Sequence, residues 1–147
     1  MTTKSNAKEL AELTFNLLED CHQKEIQLAK RYGLTTSEFH CLRLLTVGDA
    51  INNKDLAHKL RLSPGRLSRI VNGLVEKGYT TRKTVSTDRR SLHVSLSKKG
   101  QEMVAQLNQG YVNIHKEILD NIDESIHKDL ITGMTQLLSA LRKWMKK

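Results

Sequence analysis

The chain has 147 residues, 38 % apolar content and a formal net charge of +8, which allows one domain with a modest core, or one domain plus an assembly element, and excludes a disordered chain. No apolar run approaches the ~20 residues that span a bilayer, and the opening MTTKSNAKELAEL carries neither an apolar h-region nor a small-residue cleavage pattern, so a soluble cytoplasmic protein is expected. Cys21 and Cys41 are too few for a disulfide framework or a Cys-rich zinc site, although they leave room for a redox thiol.

Residues 5–31 contain no Pro or Gly, with Leu10, Leu13, Leu17, Cys21 and Leu28 on one helical stripe and Phe15, Leu18 and Ile26 on another. A helix apolar on two faces is expected to be buried on two sides. After Tyr32 and Gly33, Thr36 or Ser37 is expected to cap a second helix that carries Phe39, Leu42, Leu45 and Val47 and stops near Gly48. Asn52 or Asn53 then caps a short third helix with Leu56, Ala57 and Leu60 inward. The fourth helix is the best signalled: Ser63 as N-cap, Pro64 where its missing N–H costs nothing, and Gly78 at the end. Its Leu67, Ile70, Val71, Leu74 and Val75 make one apolar face, leaving Gly65, Arg69, Asn72 and Glu76 opposite, flanked by Arg66, Ser68 and Gly73.

The charge has a location. Residues 54–100 hold twelve Lys and Arg against three acids, +9, and the other 100 residues sum to −1. Excess positive charge confined to one third of the chain favours a polyanion-binding module over an ordinary solvated surface. A short helix, a tight turn and a helix with basic residues in its first two turns are helix-turn-helix geometry, in which the N-terminal part of the second helix enters the major groove. Ser68 and Asn72 suit base edges, and Arg69 can grip guanine or phosphate.

YTTRKTV and SLHVSL, bearing Arg82 and Lys83 in the first, have strand-like composition and frame a hairpin whose tip carries Asp88, Arg89 and Arg90. Behind a helix-turn-helix, such a ribbon reads as a wing. A guanidinium in a narrow minor groove meets enhanced negative potential, and a neighbouring carboxylate can hold it extended. The alternative is a solvated hairpin with a weak surface ion pair. Toward the C-terminus, Met103, Leu107, Tyr111, Ile114, Ile118 and Ile122 form one stripe over residues 98–122, and Ile126, Leu130, Met134, Leu137, Leu141 and Trp144 another over residues 125–145. These could pack within one chain, or, as expected here, across a two-fold dimer. The expected architecture is mainly α with a small β-hairpin wing: an N-terminal dimerisation helix (1–34), a winged helix-turn-helix DNA-binding domain (35–97) and C-terminal dimerisation helices (98–147).

The run from residue 55 to 100 resembles the winged-helix segment of MarR-type bacterial transcription regulators. It carries the elements L-A-x-x-L, S-x-x-x-L-S-R, L-x-x-K-G, D-R-R and L-S-x-K-G, and in layout the resemblance extends over the whole chain. It implies a homodimeric regulator, expected to be a repressor, that binds pseudo-palindromic double-stranded DNA, with Arg90 as the minor-groove arginine and Asp88 as its partner. It also implies release by a small phenolic or lipophilic ligand, or by cysteine oxidation, for which Cys21, His40, Cys41, Tyr111 and His115 are the candidates. Arg61 departs from the family, which often has Gly or a similar turn residue there.

No G-x-S-x-G, H-E-x-x-H, P-loop or G-x-G-x-x-G occurs, so no enzyme, catalytic residue or cofactor is expected. The six histidines never take a metal-ligand spacing on one helix, so no metal site is expected. In the family's fold His40 and His115 could approach each other with Cys21 or Cys41, but core or interface histidines are the preferred reading. A buried thiol in apolar surroundings is usually inert; basic neighbours, His22 beside Cys21 and His40 and Arg43 near Cys41, keep oxidation sensing open. The competing classes are a nonspecific or architectural nucleic-acid-binding protein and a winged helix that docks an acidic protein partner.

Overall fold

In the computed structural model, which describes residues 2–45, 49–85 and 88–147 and only the backbone of residues 85 and 88–91, helix α1 runs over Thr3–Arg31. It stops where Gly33 turns left-handed (φ 69°). Gly33 N–H then donates to Lys30 O (3.1 Å) and Leu34 N–H to Ala29 O (3.0 Å), a Schellman closure. Helix α2 (Thr36–Leu44) is capped by Thr35, one residue before the expected Thr36 or Ser37. The reason is a capping box: Thr35 Oγ1 accepts from Glu38 N–H (3.1 Å) while Glu38 Oε1 accepts from Thr35 N–H (2.9 Å). Leu45 is already extended, so α2 ends before the expected stop, yet Leu45 remains buried. Val47 and Gly48 lie outside the described residues.

Of the two candidate caps for α3 (Asn53–Leu60), Asn52 is the one used, its Oδ1 accepting from Lys54 N–H at 2.7 Å. Asn52 also belongs to β1 (Ile51–Asn52), a strand absent from the sequence expectation. Helix α3 closes as α1 does, with Leu62 N–H on Ala57 O and Arg61 N–H on His58 O, but the left-handed residue is Arg61 (φ 56°, ψ 44°). Helix α4 (Pro64–Glu76) starts from Ser63, whose Oγ accepts from Arg66 N–H (3.2 Å), and closes through Gly78 (φ 83°).

Strands β2 (Thr80–Val85) and β3 (Asp88–Leu96) pair antiparallel, and β1 adds to the other edge of β3, giving the order β1-β3-β2. The backbone of Asp88, Arg89 and Arg90 lies in β3, which corrects the expectation of a turn there. Thr84 pairs with Leu92 and Val85 with Asp88, so an irregularity in the ladder carries the pairing outward by the length of residues 89–91.

Helix α5 (Lys98–Asp120) follows β3 almost directly. The chain divides into two compact units, one up to Asn108 and one from Gln109 onward. In the first, Leu28, Phe39, Cys41, Leu42, Leu56, Leu67, Val71, Leu74, Val94 and Leu107 are fully buried, so one core joins the end of α1 to α2, α3, α4, β3 and the start of α5. The α4 face forms as patterned, with Val75 exposed at its margin. The two-sided burial expected of α1 is not seen among the described residues: of α1 Leu28 and Ala29 are buried, while Leu13, Phe15 and Leu18 are 60–77 % exposed. In the second unit α5 ends at Asp120, short of Ile122, and His127 Nε2 donates to Leu119 O (2.9 Å) and Ile122 O (2.8 Å). A 3-10 turn (Glu124–Ile126) leads into α6 (His127–Met145), none of whose residues is buried. Among the described residues no helix is long and apolar enough to cross a membrane.

Candidate nucleic-acid interface

Because Leu67, Val71 and Leu74 face the core, the opposite side of α4 is turned outward. Ser63, Gly65, Arg66, Ser68, Arg69 and Asn72 are all exposed, so α4 brings together every residue proposed for it. No acid occupies its first turn, which leaves the partial positive charge of the helix N-terminus uncompensated and attractive to phosphate. Exposed Lys54, Lys59 and Arg61 extend the positive surface along α3 and its closing turn.

On the ribbon, Arg82 and Lys83 are both exposed but project from opposite faces. Arg82 pairs with buried Val94 and Lys83 with His93, so the two bases do not act as one patch. The side chains of Asp88, Arg89 and Arg90 lie outside the described residues.

Sequence reasoning missed what holds α4. Glu38, 5 % exposed, uses the same Oε1 that caps α2 to accept from Lys77 Nζ (2.7 Å), and Lys77 Nζ also donates to Gly33 O (2.9 Å). From the other side Lys99 Nζ donates to Lys77 O (2.9 Å), Ser97 N–H to Tyr79 O (3.0 Å) and Ser97 Oγ to Gly78 O. Gly100 packs so close that a Cβ there would sit 1.9 Å from Tyr79 O. The signal was present in the paired K-G elements of L-x-x-K-G and L-S-x-K-G, to which the sequence reading assigned no task.

The candidate effector residues divide between the units. In the first, Cys41 is fully buried, and desolvation, followed by the nearby Glu38 charge, pushes its thiol from 9.0 up to about 12. Cys21 is partly exposed, with Lys24 Nζ 3.7 Å from its Sγ. His40 Nε2 donates to Glu25 Oε2 (2.7 Å). In the second, His115 Nδ1 donates to Tyr111 O (2.8 Å), the two rings lie 4.5 Å apart, and with Val112, Lys116 and Leu119 they line an open groove of about 410 Å³. Among the described residues, no three His, Cys, Asp or Glu side chains gather as metal ligands would.

Residues 34–92 match the model of the MarR family. The chain is 26 % identical over 133 residues to the HTH-type transcriptional regulator SarZ of Staphylococcus aureus, covering 90 % of this chain and 88 % of that protein. It is 27 % identical over 128 residues to SarZ of Staphylococcus saprophyticus, covering 86 % and 85 %. Among solved structures it resembles the multiple antibiotic-resistance repressor (MarR) of Listeria monocytogenes, with a TM-score of 0.76, 21 % identity and coverage of 97 % and 99 %. It also resembles MepR, a transcription regulator of the multidrug efflux pump MepA of Staphylococcus aureus, with a TM-score of 0.78, 19 % identity and coverage of 89 % and 97 %. A MepR–DNA complex aligns with a TM-score of 0.66 at 19 % identity, covering 90 % and 97 %. At such identities these structures speak to the fold. With the family match lying on the winged helix and the exposed basic face of α4 within it, residues 34–92 carry the MarR-family winged helix of a DNA-binding transcription regulator.

Proposed function

We propose that the protein is a cytoplasmic homodimer that represses transcription from pseudo-palindromic operators and is released by a small ligand or by oxidation. One observation carries the reading: Gly65, Arg66, Ser68, Arg69 and Asn72 are exposed together on the N-terminal turns of a helix whose other face is core. In this reading α4 enters the major groove, Ser63 and the helix N-terminus meet phosphate, and Arg69 and Asn72 reach base edges. Either Arg82 or Lys83 contacts backbone phosphate from its own face of the ribbon, and Arg89 and Arg90, with Asp88 orienting the latter, serve the minor groove.

Residues 1–34 and 98–147 act as the dimerisation arms around the DNA-binding domain of residues 35–97. Support comes from apolar side chains that stay largely exposed among the described residues, among them Leu13, Phe15 and Leu18 on α1 and Met134, Leu141 and Trp144 on α6. Effector release draws on the Tyr111 and His115 groove for a lipophilic ligand, or on Cys21 rather than the protonated Cys41 for oxidation.

The test is selection of binding sites from a random duplex pool at near-physiological salt, with the winning and a scrambled duplex then titrated. An inverted repeat with half-sites about one helical turn apart, bound about 10³-fold tighter than scrambled DNA, is expected. Failure to enrich any motif would sink the specific-regulator reading in favour of nonspecific binding or a protein partner.

A further inference from the structure

The reading helix is held at one end. Its first turns present exposed side chains, whereas its C-terminal end is clasped from two directions. From α2 and the turn before it come Glu38 Oε1 and Gly33 O, both on Lys77 Nζ. From the start of α5 come Lys99 Nζ on Lys77 O and Ser97 on Gly78 O and Tyr79 O. Glu38 cannot drift, because the same Oε1 accepts from Thr35 N–H, and its side chain is only 6 % exposed. The approach is close as well: a Cβ on Gly73 would lie 2.8 Å from Glu38 Oε2, so a side chain there would press on this carboxylate.

We propose that Glu38 and Lys77 are positioning residues that set the aim of α4, so that their ion pair contributes to sequence discrimination without touching DNA. The inference rests on the DNA-reading function proposed above. The lever is long enough to matter. Arg69 stands eight residues, about 12 Å along the helix, from Lys77, so a swing of about 8° at the clasped end moves it by about 1.7 Å. That displacement breaks a base-edge hydrogen bond while leaving long, flexible Lys and Arg side chains in reach of phosphate. Discrimination should therefore fall further than general affinity.

The experiment compares the parent, Lys77→Met and the double variant Glu38→Gln with Lys77→Met, measuring for each the affinity for the selected duplex, the affinity for a scrambled duplex, and thermal stability. Lys77→Met leaves a buried, unpaired carboxylate, so it loses stability as well as aim. In the double variant the amide oxygen introduced by Glu38→Gln still accepts from Thr35 N–H and no buried charge remains, so stability returns. The expected result is that the specific-to-scrambled ratio drops about tenfold in both variants, the size of one lost base contact, and does not return with stability in the double variant. Scrambled-duplex affinity should change only by the loss of one positive charge. A ratio within twofold of the parent in Lys77→Met, or one restored together with stability, overturns the positioning role. A parent that prefers no duplex overturns the DNA-reading function, and this inference with it; a parent preference that survives both variants overturns the inference alone.

Discussion

Arg61 offers the sharpest quantitative test of how this fold is built. Three helices close by the same hydrogen-bond pattern, and the left-handed residue is Gly33 after α1 and Gly78 after α4, but Arg61 (φ 56°) after α3. A non-glycine residue in this conformation costs about 1–2 kcal/mol through the contact of its Cβ with the following carbonyl. Replacing Arg61 with Gly alone would mix that relief with loss of a charge, so the informative comparison is Arg61→Gly against Arg61→Ala. Both remove the guanidinium, and only Ala keeps the Cβ. Glycine's greater freedom in the unfolded chain takes back about 0.4–1 kcal/mol, so Arg61→Gly should exceed Arg61→Ala by about 0.5–1 kcal/mol. For a chain of this size that is a difference of about 2–3 °C in melting temperature. Thermal and urea denaturation by circular dichroism, with both variants at one protein concentration, reads it directly. If Arg61→Ala proves as stable as Arg61→Gly, the left-handed closure of α3 carries no strain and the reasoning fails. The same pair of variants gives an electrostatic control, since both should lower the salt slope of DNA binding by about 0.9 if Arg61 meets a phosphate.

Gly100→Ala would drive a Cβ to 1.9 Å from Tyr79 O, backbone against backbone. It should cost about 3 kcal/mol or more, whereas Gly65→Ala, with nothing within 4 Å, should leave the melting temperature unchanged or raise it; equal melts would refute the close packing. Cys41 makes a pH prediction whose sign is fixed. Its unfolded thiol ionises from about pH 9, the folded one stays protonated to about 12, so stability falls as pH rises through that window, by about 1.4 kcal/mol per unit. Cys41→Ala should lack this loss, and parallel stability curves for parent and variant between pH 8 and 10 would contradict it. Arg69→Ala should weaken operator binding and relax preference at particular base pairs by about 1–3 kcal/mol, read by titrating single-base variants of the selected site; an equal loss on every sequence reduces Arg69 to a phosphate contact.

What the sequence made legible follows the range of the interactions concerned. Helix α4 could be read end to end because Ser63, Pro64 and Gly78 each act on backbone within a few residues. The cap of α2 was read one or two residues late because Thr35, Thr36 and Ser37 are chemically similar, and only Glu38, at the third helical position counted from Thr35, discriminates among them. Strand β1 has two residues and no periodicity to betray it; it exists because β3 has a free edge beside Val94 and His93. The ladder irregularity that draws Asp88, Arg89 and Arg90 into β3 depends on how Thr84 and Val85 meet the partner strand, which no single segment encodes. The Glu38–Lys77 pair spans 39 positions, and nothing in either local pattern names the other.

The apolar stripes of α1 and α6 teach a different lesson. Periodicity states that a face is to be covered, and is silent on what covers it. In the first unit the core is complete, running from Leu28 to Leu107. From Gln109 onward no described residue is buried, although Ile131, Met134, Leu138, Leu141 and Trp144 all lie on α6. A helix of 19 residues still draws most of its stability from packing its apolar face, and large apolar side chains left half-exposed each forgo about 1 kcal/mol of burial. Among the described residues the second unit, Gln109–Lys147, therefore lacks the core that would hold it, and the proposed dimer would supply one. If the proposed dimer forms, folding of α6 and pairing of protomers are a single event, so the melting of the second unit should depend on protein concentration while that of the clasp around α4, built wholly within the first unit, should not.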